Sequence, residues 1–125
     1  MSPLVVVALS IAGGIGAVVR LVFDSFLRSR VRTSYPLGTT VINVTGSFLL
    51  GLVTGLALTH GLPLEWRLIL GTGFLGGYTT FSTASFETVR LAQQGRYGAA
   101  LTNGLGMFLA AVLAAGAGLW LGTLH

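Results

Sequence analysis

The sequence predicts an all-α integral membrane protein of four transmembrane helices, and three observations carry that reading. The chain is 53% hydrophobic and only 8% charged, with a mean hydropathy of +0.85. A soluble domain carries about a quarter charged residues. The apolar residues gather into four stretches, each near the roughly 20 residues that a helix needs to cross the hydrocarbon core. Short breakers divide these stretches: Tyr35-Pro36-Leu37-Gly38, His60-Gly61-Leu62-Pro63 and Gln94-Gly95. All 125 residues form one membrane domain (1–125), since no connection is long enough to fold alone. Disorder is excluded, because disordered chains are poor in apolar residues and rich in charge. The 19 glycines have no triplet period, so a collagen repeat is excluded too. There is no cysteine, and hence no disulfide framework and no thiolate metal site.

The first span is placed at about 4–23, with Pro3 suited to a helix start. It lacks the basic n-region of a signal peptide, and Arg20 stands where a cleavage site would fall, so it is read as retained. The second span is placed at 38–59, the third at 64–92 and the fourth at 97–124. Small residues four apart recur along them: Gly13 and Ala17, Gly51 and Gly55, Gly73 and Gly77, Gly118 and Gly122. Such pairs let helix backbones approach closely in lipid, where there is little hydrophobic drive to associate. They predict a tight bundle and say nothing about chemistry.

The third span is different. From Gly71 to Thr83 it carries five small hydroxyl residues and the pair Gly76-Gly77. Glycine followed by β-branched threonine weakens a helix, which predicts a break near Gly76–Thr80. Non-helical backbone at this depth survives only where protein or a polar cavity satisfies it. Broken helices of that kind bind ions, while the blander reading is a kink patched by threonine hydroxyls. Asn43 in the second span is either an interhelical clamp or a donor lining a pathway. Asn103 in the fourth span carries the same two readings. Arg20 either snorkels to the headgroups or faces a polar vestibule. Glu87 and Arg90 read as an i, i+3 ion pair at a helix end. His60 falls in a turn and His125 is the last residue, so neither suggests a metal ligand. Without paired carboxylates, a Ser-His pair or a metal cluster, an enzyme is disfavoured. Hydroxyls, amides and arginine without deep acids favour a protein that handles an anion.

All seven basic residues are arginine, and the only acids are Asp24, Glu65 and Glu87. The sequence pI is near 10.8, but the arginines sit mainly between apolar stretches, which argues for lipid and topology rather than nucleic acid. The first and third connections hold Arg28, Arg30, Arg32, Arg90 and Arg96, whereas the middle one has only Arg67. The positive-inside rule puts the arginine-rich connections in the cytoplasm and both termini outside.

These motifs resemble a known family, the Fluc (CrcB-type) fluoride channels of bacteria and archaea. The resemblance covers nearly the whole chain. It rests on Gly13-Gly14-Ile15-Gly16-Ala17 followed by Arg20, on Pro36-Leu37-Gly38-Thr39 with Asn43 and Gly46, and on Gly95-Arg96-Tyr97. Its most specific part is the run Gly73-Phe74-Leu75-Gly76-Gly77-Tyr78-Thr79-Thr80-Phe81-Ser82-Thr83, with Glu87 after it.

The resemblance implies a passive fluoride-selective channel in the plasma membrane of a prokaryote, exporting fluoride and lowering its toxicity. It implies an antiparallel dimer with two pathways, each built from both subunits. Asn43, Phe81, Ser82, Thr83 and Arg20 would line the pathway. A structural sodium ion, not transported, would take the backbone carbonyls of Gly76 and Thr79. The family usually has a second phenylalanine three residues after the first, where this chain has Ala84. Phe86 points to nearly the opposite side of an ideal helix and does not substitute. That departure and the uneven arginines suggest a dimer with an oppositely oriented paralogue as an alternative to a homodimer. Two other readings are a small multidrug-type four-helix transporter and a non-conducting partner subunit of a heteromeric channel. The first span lacks the membrane-embedded glutamate that the drug transporters need.

Overall fold

The computed structural model of the chain describes residues 2–31, 33 and 35–124. Arg32 and His125, which entered the readings above, lie outside the described residues. Helix α1 (Pro3–Arg30) begins at Ser2, whose hydroxyl accepts the Val5 N–H at 3.2 Å, with Pro3 in the first turn. It runs past the expected end near residue 23, because Asp24 and Arg28 pair at i, i+4 with Arg28 Nε 3.0 Å from Asp24 Oδ2. Helix α2 (Leu37–His60) ends at Gly61, where φ is +68°, a left-handed cap that favours glycine. Helix α3 occupies residues 64–78, with wider π-type turns over Leu68–Leu75. Helix α4 is Phe81–Gln93. Helix α5 (Tyr97–Gly122) includes a π-type stretch at Thr102–Gly106.

The described residues hold helices and no strand. Helices α1, α2 and α5 are each long and apolar enough to cross a membrane; α3 and α4 together cover the third apolar stretch. Two seams hold the bundle, and both are made of glycine. Helix α1 lies along α3, and α2 lies along α5. A Cβ on Gly73 would sit 2.7 Å from Leu9 O, one on Gly77 would meet the backbone of Gly13, and one on Gly16 that of Phe74. In the other seam a Cβ on Gly55 would lie 2.5 Å from Leu119 O and one on Gly122 2.6 Å from Leu52 O. Gly51 faces Ala115 and Gly118 faces Phe48 in the same way. The contacts advance in step along both members of each pair, so α1 runs parallel to α3 and α2 to α5. Backbone approach this close supplies the dispersion contact that drives helix association in lipid.

The small buried core, Ile42, Leu75 and Tyr78, sits between these seams, with Phe23 and Phe74 packed on it. The Tyr78 hydroxyl is 2.9 Å from Thr45 Oγ1, so its polar end is satisfied. Leu4, Ile11, Val18 and Val22 on α1, and Phe108, Val112 and Leu113 on α5, are exposed. So much outward apolar surface suits a lipid environment.

Candidate functional site

The site is built around the two residues that part α3 from α4. Thr79 (φ −81°, ψ 160°) and Thr80 (φ −148°, ψ 115°) are extended, whereas Gly76 and Gly77 keep helical backbone. Two extended residues free backbone groups that a continuous helix would pair. The surrounding side chains take them up. Asn43 Nδ2 donates to Thr80 O at 2.9 Å, and the Thr80 N–H donates to Asn43 Oδ1 at 2.8 Å. One amide side chain therefore satisfies both polar groups of a single peptide residue, as a neighbouring strand would. The Thr80 hydroxyl accepts the Thr83 N–H at 3.1 Å and caps α4, and the Thr79 hydroxyl returns to Leu75 O at 2.9 Å.

Asn43 is thus a clamp on the interruption, and its remaining N–H points at Met107 Sδ, 3.3 Å away. Arg20, half-buried, sends Nε to Gly77 O at 3.4 Å. A guanidinium at the C-terminal end of α3 is favoured by the helix dipole. Arg20 lines neither of the two cavities described next.

One cavity is an open groove of about 800 Å³ that includes Asn43, Thr79, Thr80, Phe81 and Met107, with Gly76 on its wall. Phe81 is 87% exposed, an unusual placement for so large an apolar ring unless something covers it. Ala84 and Thr88 continue the same face of α4 into the groove, so no second ring follows Phe81 there. The other cavity, about 460 Å³, is charged: Asp24, Arg28, Glu87, Arg90 and Arg96 line it, beside Thr83. Phe86 opens onto this second cavity, so the two phenylalanines of α4 face different spaces. Ser82 is exposed and lines neither.

The expected Glu87–Arg90 ion pair is corrected. Among the described residues the ion pair is Asp24 with Arg28. The Glu87 carboxyl faces the buried Thr39 hydroxyl instead, and its Oε1 has no hydrogen-bond partner. The reason is tertiary: Thr39, on the first turn of α2, acts on the Glu87 carboxyl, while Arg90 is exposed and makes no ion pair with it. Asn103 is completely buried and donates from Nδ2 to Thr88 Oγ1 at 2.8 Å and to Ala84 O at 3.4 Å. Sequence reasoning missed Met107 and Thr88, and it named Thr39 without its link to Glu87. Met107 had one available signal, as the single methionine within the spans.

Residues 7–120 match the family described as CrcB-like protein, Camphor Resistance (CrcB). The chain belongs to the CrcB-like family. Among its CrcB-like relatives, the Fluoride-specific ion channel FluC 1 of Leifsonia xyli subsp. xyli is 72% identical over 124 residues, covering 99% of this chain and 90% of that protein. The Fluoride-specific ion channel FluC 2 of Cutibacterium acnes is 55% identical over 115 residues, with 90% and 93% covered. A protein of the same name from Moorella thermoacetica is 47% identical over 114 residues, with 90% and 88% covered. The relatives are named ion channels, so the CrcB-like chain belongs with channels and not with enzymes.

Proposed function

We propose that this CrcB-like chain is one subunit of a passive, fluoride-selective channel that lets fluoride leave the cytoplasm and so lowers its toxicity. The carrying observation is the Asn43 station beside the outward Phe81, in a chain 72% identical to a protein named a fluoride-specific ion channel. Fluoride is small, hard and strongly hydrated, so a narrow path must replace its water with amide and hydroxyl donors. Asn43 offers an N–H at the groove wall, and the positive ring edge of Phe81 can face an anion. Thr83, with Ser82 next to it, would carry the path from the groove toward the arginine-lined cavity. Arg20 acts in this reading through the end of α3, where it holds the Gly77 carbonyl.

The groove is open on one side, and the exposed Phe81 needs a cover. A second subunit inserted in the opposite direction supplies both, as an antiparallel dimer in the plasma membrane. The partner is either a second copy or an oppositely oriented paralogue. The names FluC 1 and FluC 2 among the relatives fit a pair of paralogues. Ala84 in place of a second ring, and the arginine-rich connections, favour the unlike partner. Arg28, Arg90 and Arg96 line one cavity and so lie at one end of the bundle, which would be cytoplasmic.

The residues also fit a structural sodium ion at the dimer centre. In an unbroken helix the Thr80 N–H would pair with Gly76 O, but here it goes to Asn43. Gly76 is exposed on the groove wall, and Thr79 is extended. The described residues hold no group of three or more carboxylate or imidazole side chains that could bind a metal. Backbone carbonyl oxygens suit a hard cation. Bound there, sodium would supply positive charge that ties the two subunits together.

The test is fluoride efflux from proteoliposomes, followed with a fluoride-selective electrode, for the chain alone and co-assembled with an oppositely inserted paralogue. Rapid passive release is expected in at least one arrangement. Phe81→Leu should cut it at least tenfold while the dimer still assembles, the loss of one well-placed electrostatic contact. Absence of release in both arrangements overturns the channel reading, and a drug exchanger or a scaffold would behave in that way.

A further inference from the structure

Asn43 has four polar valences, and the structure accounts for three of them. Its carbonyl oxygen accepts the Thr80 N–H, one amide hydrogen goes to Thr80 O, and the other rests on Met107 Sδ at 3.3 Å. The orientation of this amide is fixed, because Thr80 N–H can only donate and Thr80 O can only accept. The thioether therefore faces an N–H and not the amide oxygen.

Sulfur of this kind is a weak acceptor on a flexible, unbranched stem. Met107 is only 6% exposed, yet it borders the groove between Asn43 and Thr88. It also stands at the first regular turn after the π-type stretch Thr102–Gly106, and such stretches are frequent at functional sites.

We infer that Met107 is a specificity-determining residue whose thioether stands in for the anion on the Asn43 amide and yields when fluoride arrives. The inference rests on the fluoride reading given above and deepens it. A buried N–H left with no partner is costly, so an anion leaving an empty donor would be held back. The thioether removes that cost by returning to the N–H after the ion departs. It does not hold the donor strongly, since a hydrogen bond to a charged partner is roughly twice as strong as one between neutral groups. A small hard anion wins the exchange. A stronger resident acceptor would contest it.

Two substitutions separate this role from packing. Met107→Gln places an amide carbonyl within reach of the same N–H and should raise the half-saturating fluoride concentration about tenfold with maximal flux retained, because a full-strength acceptor now competes. Met107→Leu keeps the volume without the acceptor and should lower half-saturation about threefold, the N–H being unpaired at rest. The measurement is efflux against internal fluoride concentration, with dimer assembly checked for each variant. A second readout uses the composition: Met107 and Met1 are the only methionines. In protein labelled with ¹³C-methyl methionine, fluoride should shift the Met107 resonance and chloride should not.

Flux in the unaltered protein with half-saturation unmoved in both variants, or an equal loss of maximal flux in both, overturns this inference alone. A Met107 methyl resonance insensitive to fluoride in a conducting sample overturns it as well. Silence of the unaltered protein, alone and with an oppositely inserted paralogue, removes the fluoride reading and this one with it.

Discussion

Helices α2 and α5 meet in two regions, and the two are built from opposite materials. Toward their C-terminal ends, Gly51, Gly55, Gly118 and Gly122 bring backbone onto backbone, with no room for a side chain between. Toward their N-terminal ends the Asn43 side chain of α2 meets the Met107 thioether of α5 and also holds the peptide groups of Thr80. The glycine seam fixes the distance between the helices and carries no chemistry. The polar region uses that fixed distance to aim donors and acceptors. A parallel helix pair held tightly at one end can keep weak, exchangeable contacts at the other. Each region should then fail in its own manner when altered.

The largest effect is expected in the seam. Gly118→Leu drives a Cβ into the Phe48 carbonyl and to 2.8 Å from Leu52 N, neither of which can rotate aside. Overpacking against backbone should cost about 3 kcal/mol. A denaturation midpoint measured in detergent would report it. Gly116→Leu, whose Cβ would meet nothing within 4 Å, is the paired control and should be close to neutral. If the two substitutions prove equal, the seam is not what sets the helix distance.

The next effect belongs to the polar region. Asn43→Ala leaves the Thr80 N–H and C=O without their partner, and should cost about 2 kcal/mol through desolvated, unpaired groups. Asn43→Asp keeps an acceptor for the Thr80 N–H, but it loses the donors to Thr80 O and Met107 Sδ. Its stability should fall between those of the alanine variant and the unaltered protein, with the carboxylate form further penalised by burial. An order with Asp below Ala would mean that charge burial outweighs the single retained bond. The same midpoint measurement decides it.

These contrasts show what could be read from the chain and what could not. Small residues four apart are a property of sequence, so the seams were legible as seams. Their partners were not, because pairing Gly118 with Phe48, or Gly77 with Gly13, is a matter of how helices cross. The weak-helix run Gly76–Thr80 ends on two extended residues, Thr79 and Thr80. Propensity alone put the glycines among the departing residues. In the fold Gly76 and Gly77 stay helical, and Gly77 lies against the Gly13 backbone with no room for a side chain. Glu87 and Arg90 met the spacing rule for an ion pair, yet Thr39 from another helix reached the carboxyl. Arg20 was read as a headgroup or vestibule contact, and its bond to a carbonyl 57 residues further along the chain could not be read from the sequence. Each of these differences turns on tertiary proximity, which local pattern does not encode.

The smallest effect sharpens the comparison most, because it sets one buried asparagine against the other. Asn103 resembles Asn43 in sequence, a lone amide in an apolar span, and it is more deeply buried. Its bonding differs. The Thr88 hydroxyl donates its hydrogen to Ala84 O at 2.8 Å, and so can only accept from Asn103 Nδ2. The second contact of Nδ2, to Ala84 O at 3.4 Å, is long. Asn103 Oδ1 has no partner at all among the described residues. Asn103→Leu therefore gives up one good hydrogen bond, worth about 1 kcal/mol, and removes an unpaired buried carbonyl of similar or greater cost. Thr88 keeps its own bond to Ala84, and the net change in the midpoint should lie within about 1 kcal/mol of zero. Burial alone would have ranked Asn103 above Asn43; counting partners reverses the order. If Asn103→Leu instead costs as much as Asn43→Ala, its carbonyl has a donor that this single chain does not supply, and the second subunit is the place to look for it.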